Sequence, residues 1–123
     1  GEAQGFRTVI PQPPLFLLWY DFSKWLLNKT EKFPKKVRFS FSNRIDNLAL
    51  DIFEGVIEAR YSKNKKEMLR RIDLSLEKLR LLLRMCHDMQ YLDHKGYEYA
   101  ARKINEAGKM VGGWRKQQDN RKP

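Results

Sequence analysis

The sequence predicts an all-α protein, an antiparallel up-down-up-down four-helix bundle that assembles into a homo-oligomer. Four segments of roughly 17 to 27 residues repeat apolar side chains at alternating spacings of three and four, the period of an amphipathic helix. Short connections join them and no strand pattern competes, so neighbouring helices run antiparallel. The third segment is apolar on two opposite faces, and a helix of that kind needs cover on both sides.

Helix one starts at Pro13 and Pro14, residues suited to a first helical turn, and carries Leu15, Leu18, Phe22 and Trp25 on one face. Phe33-Pro34-Lys35-Lys36 ends it near Glu31, because proline disfavours helical geometry in the residue before it. Helix two begins near Ser40 or Ser42, either of which suits a cap, with Ile45, Leu48, Ile52, Gly55 and Ala59 along its inner face. Small residues there allow close backbone approach. Tyr61-Ser62-Lys63-Asn64 turns the chain into helix three, from about Asn64 to Gln90. Leu69, Ile72, Leu76, Leu79, Leu83 and Cys86 form its core stripe, and Leu74, Leu81 and Met85 a second stripe on the far side. That second stripe is the expected oligomer interface.

After a turn at 91–96, helix four carries Tyr97, Ala100, Ile104, Ala107, Val111 and Trp114. Gly108, Gly112 and Gly113 mark either a close helix contact or a kink or end. The chain divides into a flexible N-terminal segment at 1–12, the bundle at 13–117 and a flexible basic tail at 118–123. At 123 residues it is long enough for one core without disulfides. The single cysteine, Cys86, sits on the core stripe and reads as a small core residue in a reducing compartment. Near the start, the longest apolar run, Leu15 to Tyr20, is too short to span a membrane or serve as a signal segment, so a soluble cytoplasmic protein is expected.

The composition is strongly basic: 25 Lys and Arg against 15 Asp and Glu give a formal net charge of +10. Polyanions are the natural partners of such a surface. Antiparallel topology gathers the start of helix three and the finish of helix four at one end. There Lys63, Lys65, Lys66, Arg70, Arg71, Lys109, Arg115, Lys116, Arg121 and Lys122 form the candidate nucleic-acid-binding pole. Arg80 and Arg84, four apart on the flank of helix three, are candidate phosphate clamps. The competing expectation is pairing within the helix, Arg80 with Glu77 and Arg84 with Asp88. Among the aromatics, Trp25, Tyr97 and Trp114 are assigned to packing, and Trp19 and Tyr99 to more open positions at an interface.

Neither a metal nor a cofactor is expected. Neither His87 nor His94 follows a Glu at the spacing a di-iron bundle uses, and the Cys-x-x-Cys-His of haem attachment is absent from the sequence. Arg80 and His87 loosely match the Arg-to-His spacing of helical ribonucleases of the HEPN type, though Leu81 stands where those enzymes carry a polar residue.

The ordered text resembles a known family. Trp19-Tyr20-Asp21-Phe22 leads to Trp25-Leu26-Leu27 and Glu31-Lys32-Phe33-Pro34-Lys35. Arg44-Ile45-Asp46-Asn47-Leu48, Glu54-Gly55, Ile57-Glu58-Ala59, Leu79-Arg80-Leu81-Leu82-Leu83-Arg84 and Gly112-Gly113-Trp114 follow. The series is similar to the accessory variability determinant (Avd) proteins of diversity-generating retroelements. They belong to a wider four-helix group that includes proteins encoded in intervening sequences of ribosomal RNA genes. The resemblance implies a non-enzymatic partner of a reverse transcriptase, a pentameric barrel that binds template RNA and possibly DNA in support of mutagenic cDNA synthesis. An intervening-sequence-type RNA-binding protein, or a ribonuclease using Arg80 and His87, is the alternative.

Overall fold

The computed structural model describes residues 14–120; Pro13 and the segments at 1–12 and 121–123 lie outside them. Four helices make up the described chain, with no strand among the described residues. They are α1 (Pro14–Glu31), α2 (Asn43–Tyr61), α3 (Lys65–Asp88) and α4 (His94–Asn120). Each of α1 and α3 packs on both α2 and α4, which gives a square bundle.

Helix α3 buries the whole stripe expected of it: Leu69, Ile72, Leu76, Leu79, Leu83 and Cys86 are all within the core. Two other helices deviate from their expected register. In α1 the buried ladder is Leu15, Trp19, Phe22 and Leu26, while Leu18 and Trp25 are only partly covered. Trp19, expected to be open, is fully buried and donates its indole N–H to the Ala49 carbonyl at 2.8 Å. In α2 the buried face is Ile45, Ala49, Ile52, Val56 and Ala59, so Ala49 and Val56 replace Leu48 and Gly55. The small Ala49 leaves room for the indole, which fixes both registers together. Tyr97 and Trp114 of α4, expected in the core, pack against its edge.

The connection from α1 to α2 is itself helical. A turn of 3-10 helix (Lys35–Val37) runs into a π-helical turn (Arg38–Ser42) and on into α2. Neither Ser40 nor Ser42 therefore caps α2. Ser40 donates instead to the Val37 carbonyl at 3.3 Å, and the Asn43 N–H is satisfied by Arg38 and Ser40 carbonyls of the preceding turn. A second tie across this joint is the Thr30 hydroxyl, which donates to Asp46 at 2.6 Å. Partial burial raises the Asp46 carboxyl above its usual range, and the Thr30 bond opposes that shift.

Helix α3 ends in a Schellman turn: the Tyr91 N–H reaches the Cys86 carbonyl at 2.9 Å and the Gln90 N–H reaches His87 at 3.0 Å. Gln90 occupies the left-handed position, φ 68°, where glycine is the usual residue. Helix α4 then starts at His94, earlier than expected, with Asp93 accepting from the Gly96 N–H at 2.7 Å. Gly96 thus lies inside the helix, and a Cβ there would meet Asp93 and Leu92, each at 2.9 Å. Gly55 faces Ile72 in the same way, its missing Cβ 3.2 Å from that side chain, so α2 and α3 approach closely there. Around Gly108, Gly112 and Gly113 there is open space within the described chain, and α4 continues past them to Asn120.

Candidate nucleic-acid interface

The start of α3 and the end of α4 lie side by side. Lys66 at the start of α3 reaches Asp119 near the end of α4 at 2.8 Å, and Arg115 reaches Asp73 at 2.5 Å. The cations there, however, are held in different ways. Arg70 makes two bonds to Glu67, at 2.8 and 3.0 Å, and Arg71 lies 3.5 Å from the same carboxylate. Chiefly through the Arg70 bond, the Glu67 carboxyl falls below its usual range. Lys63, Lys109 and Lys116 form no ion pair among the described residues, and Arg121 and Lys122 lie outside them.

Lys65 differs in kind. Its ammonium donates to the carbonyls of Ala59 at 3.0 Å, Arg60 at 2.8 Å and Ser62 at 2.9 Å. Those bonds use all three of its donors on the end of α2, where unpaired carbonyls and the negative end of the helix dipole attract a cation. A cation at the start of α3 opposes the dipole of that helix, and the bonds to α2 offset the cost.

On the flank of α3, both arginines adopt pairings within the helix. Arg80 binds Glu77 through both carboxylate oxygens, and Arg84 lies 3.5 Å from Asp88. Arg84 is held in its charged form chiefly by the nearby Tyr97 hydroxyl, with Asp88 adding to it. These pairs are exposed and screened by solvent, so exchange for a phosphate partner costs little. His87 has its Nδ1 3.1 Å from the Leu92 carbonyl and its ring stacked on Tyr97, with centroids 5.0 Å apart.

The second apolar stripe stands clear of the core. Leu74 is 49% exposed, Leu81 56% and Met85 50%, and Met89 extends the row at 52%. Leu50, Ile57 and Tyr61 add exposed apolar side chains on α2, at helical spacings that the assumed inner ladder of α2 concealed. The α1–α2 connection is a second cationic stretch of the surface. Lys35, Lys36 and Arg38 are exposed there close in the chain to Phe39, itself 84% exposed, and Lys32 and Arg44 are exposed to either side of the stretch. Its signal, Lys35-Lys36-Val37-Arg38-Phe39, was legible as a basic run with an aromatic in it.

Fold and surface together define a small, basic four-helix protein with an apolar outer face on α3. The bAvd-like family model matches residues 16–118, and the chain belongs to that family, as the resemblance to accessory variability determinant proteins implied. No curated protein and no solved structure matches the chain. Among the described residues, no helix is long and apolar enough to cross a membrane, and no group of His, Cys, Asp and Glu is placed to hold a metal.

Proposed function

We propose that this chain is the non-enzymatic accessory subunit of a diversity-generating retroelement, binding nucleic acid and associating with the reverse transcriptase and its template RNA during mutagenic cDNA synthesis. Family membership over residues 16–118 is the observation that carries this reading. Polymerisation belongs to the transcriptase. The accessory chain supplies a cationic surface whose phosphate contacts position the RNA without reading its sequence.

Assembly into a homo-oligomer, a pentameric barrel by the family resemblance, belongs to the same proposal. Burying Leu74, Leu81 and Met85 between copies removes apolar surface from water at about 25 cal/mol per Å². It also repeats the cationic surface around the assembly, which raises the field that an approaching polyanion meets.

Two measurements test the reading. Binding of labelled template RNA should weaken steeply with salt; about five neutralised phosphates give a log–log slope of about −3.5 for a single strand. A flat salt response rejects phosphate contacts as the main contribution. Light scattering of Leu81→Asp should show a smaller particle than the parent protein, and an unchanged mass removes that stripe from the interface. RNA cleavage by the chain alone, abolished in His87→Ala, would replace the accessory reading with a ribonuclease.

A further inference from the structure

We infer that the α1–α2 connection is a binding site for single-stranded nucleic acid, with Phe39 as a stacking platform and Lys35, Lys36 and Arg38, its neighbours in the chain, as phosphate contacts. The inference rests on the nucleic-acid reading above and adds a location on the chain that the basic pole did not include.

Phe39 is the exception among the described phenylalanines. Phe22 and Phe33 are buried, and Phe16, Phe41 and Phe53 are partly buried against the core. Phe39 alone stands 84% exposed. Its exposure follows from the backbone: Val37 is buried and Phe41 packs on Tyr91 with centroids 6.0 Å apart, so the residue midway between them points to the opposite side. A hydrogen-bonded π-helical turn holds it there, and such turns concentrate at functional sites.

Cations outnumber acids along this stretch, with Glu31 and Asp46 lining one hollow with Lys35 and Arg38, and Asp93 lining another with Lys32. From Lys29 to Arg44 the chain has six bases and one acid, Glu31. Lys29 lies over the Trp25 ring, 5.5 Å from its centroid, and the other five form no ion pair among the described residues. Of the acids at the adjacent ends of α3 and α4, Asp88 meets Arg84 and Glu98 meets His94, while Asp93 in the connection accepts from the Gly96 N–H. The opposite end of the bundle differs, since most of its described cations already meet a carboxylate or a carbonyl.

An open aromatic ring flanked by unpaired Lys and Arg is the arrangement that grips single strands: bases stack on the ring while the cations follow the backbone. A membrane surface would favour an apolar helix face of several large side chains. Here Val37 and Phe41 turn inward and leave one ring.

The test uses the full chain and a fluorescein-labelled oligouridine, read by anisotropy. Phe39→Ala should weaken binding about tenfold to a hundredfold, as base stacking on one aromatic is worth about 1–3 kcal/mol. Phe39→Trp should restore it, with indole fluorescence quenched by the oligonucleotide. A triple Lys35→Ala, Lys36→Ala, Arg38→Ala variant should flatten the salt slope by about 2. Circular dichroism and light scattering of all three should match the parent. Unchanged binding by both alanine variants overturns the site, and if Lys109→Ala with Lys116→Ala then weakens binding, the accessory reading survives without it. A parent protein that does not bind the oligonucleotide overturns both. Phe39→Ala that alters the particle mass, or a parent that binds phosphatidylserine vesicles through Phe39 in place of oligouridine, also overturns the site.

Discussion

Trp19 donates its indole N–H to the Ala49 carbonyl at 2.8 Å from a fully buried position, and this one contact sets the relative register of α1 and α2. Trp19→Phe loses the hydrogen bond and leaves part of the indole volume empty. A destabilisation of about 2–3 kcal/mol is expected by chemical denaturation. Leu18→Ala, on the side first expected to be buried, should cost less than Trp19→Phe; the reverse order would contradict the observed register.

Lys65 serves α2 through its three carbonyl bonds. Lys65→Met, which keeps the apolar stem, should lower stability by about 1 kcal/mol while changing RNA affinity less than Lys63→Met does. Undiminished stability with a large loss of RNA binding would instead assign Lys65 to phosphate.

Backbone preference is unmet at the end of α3 and along α4. Gln90→Gly removes the left-handed strain of a side chain and should stabilise the fold by about 1 kcal/mol. Gly108→Ala, on a helix interior with open space around it, should do the same. Thermal melts of the two variants check both. A lower melting temperature for Gly108→Ala would mean that another copy packs against that position.

Burial pushes the Cys86 thiol up to about 11 from 9.0. At pH 8 the folded protein should therefore react slowly with a disulfide reagent, and rapidly once denatured. The sign of the linkage is fixed as well. Above pH 9 the unfolded chain ionises while the folded one holds its proton, so stability falls as pH rises from about 9 to 11. Cys86→Ala should show a shallower decline over that interval.

Legibility varied along the chain for physical reasons. In α3, polar residues separate the two apolar stripes, so periodicity alone resolved the inner face. α1 is apolar nearly throughout from Leu15 to Tyr20, and two ladders fit equally: one through Leu18 and Trp25, the other through Trp19 and Leu26. Only the match of a large indole to Ala49, thirty residues away, decides between them. Pairings close in sequence, such as Arg80 with Glu77, were readable from helix geometry. Arg115 with Asp73, forty-two residues apart, was not, and neither was the use of Lys65 by the preceding helix. Proline at position 34 correctly marked the end of α1, but it concealed that the backbone re-enters helical geometry one residue later.

From Arg38 to Tyr61 the backbone is helical without a break, wider at Arg38–Ser42 and narrowing into α2. Whatever pulls on Phe39 therefore pulls on a shaft, with no slack between the point of grip and the bundle. The far end of that shaft is clasped by Lys65.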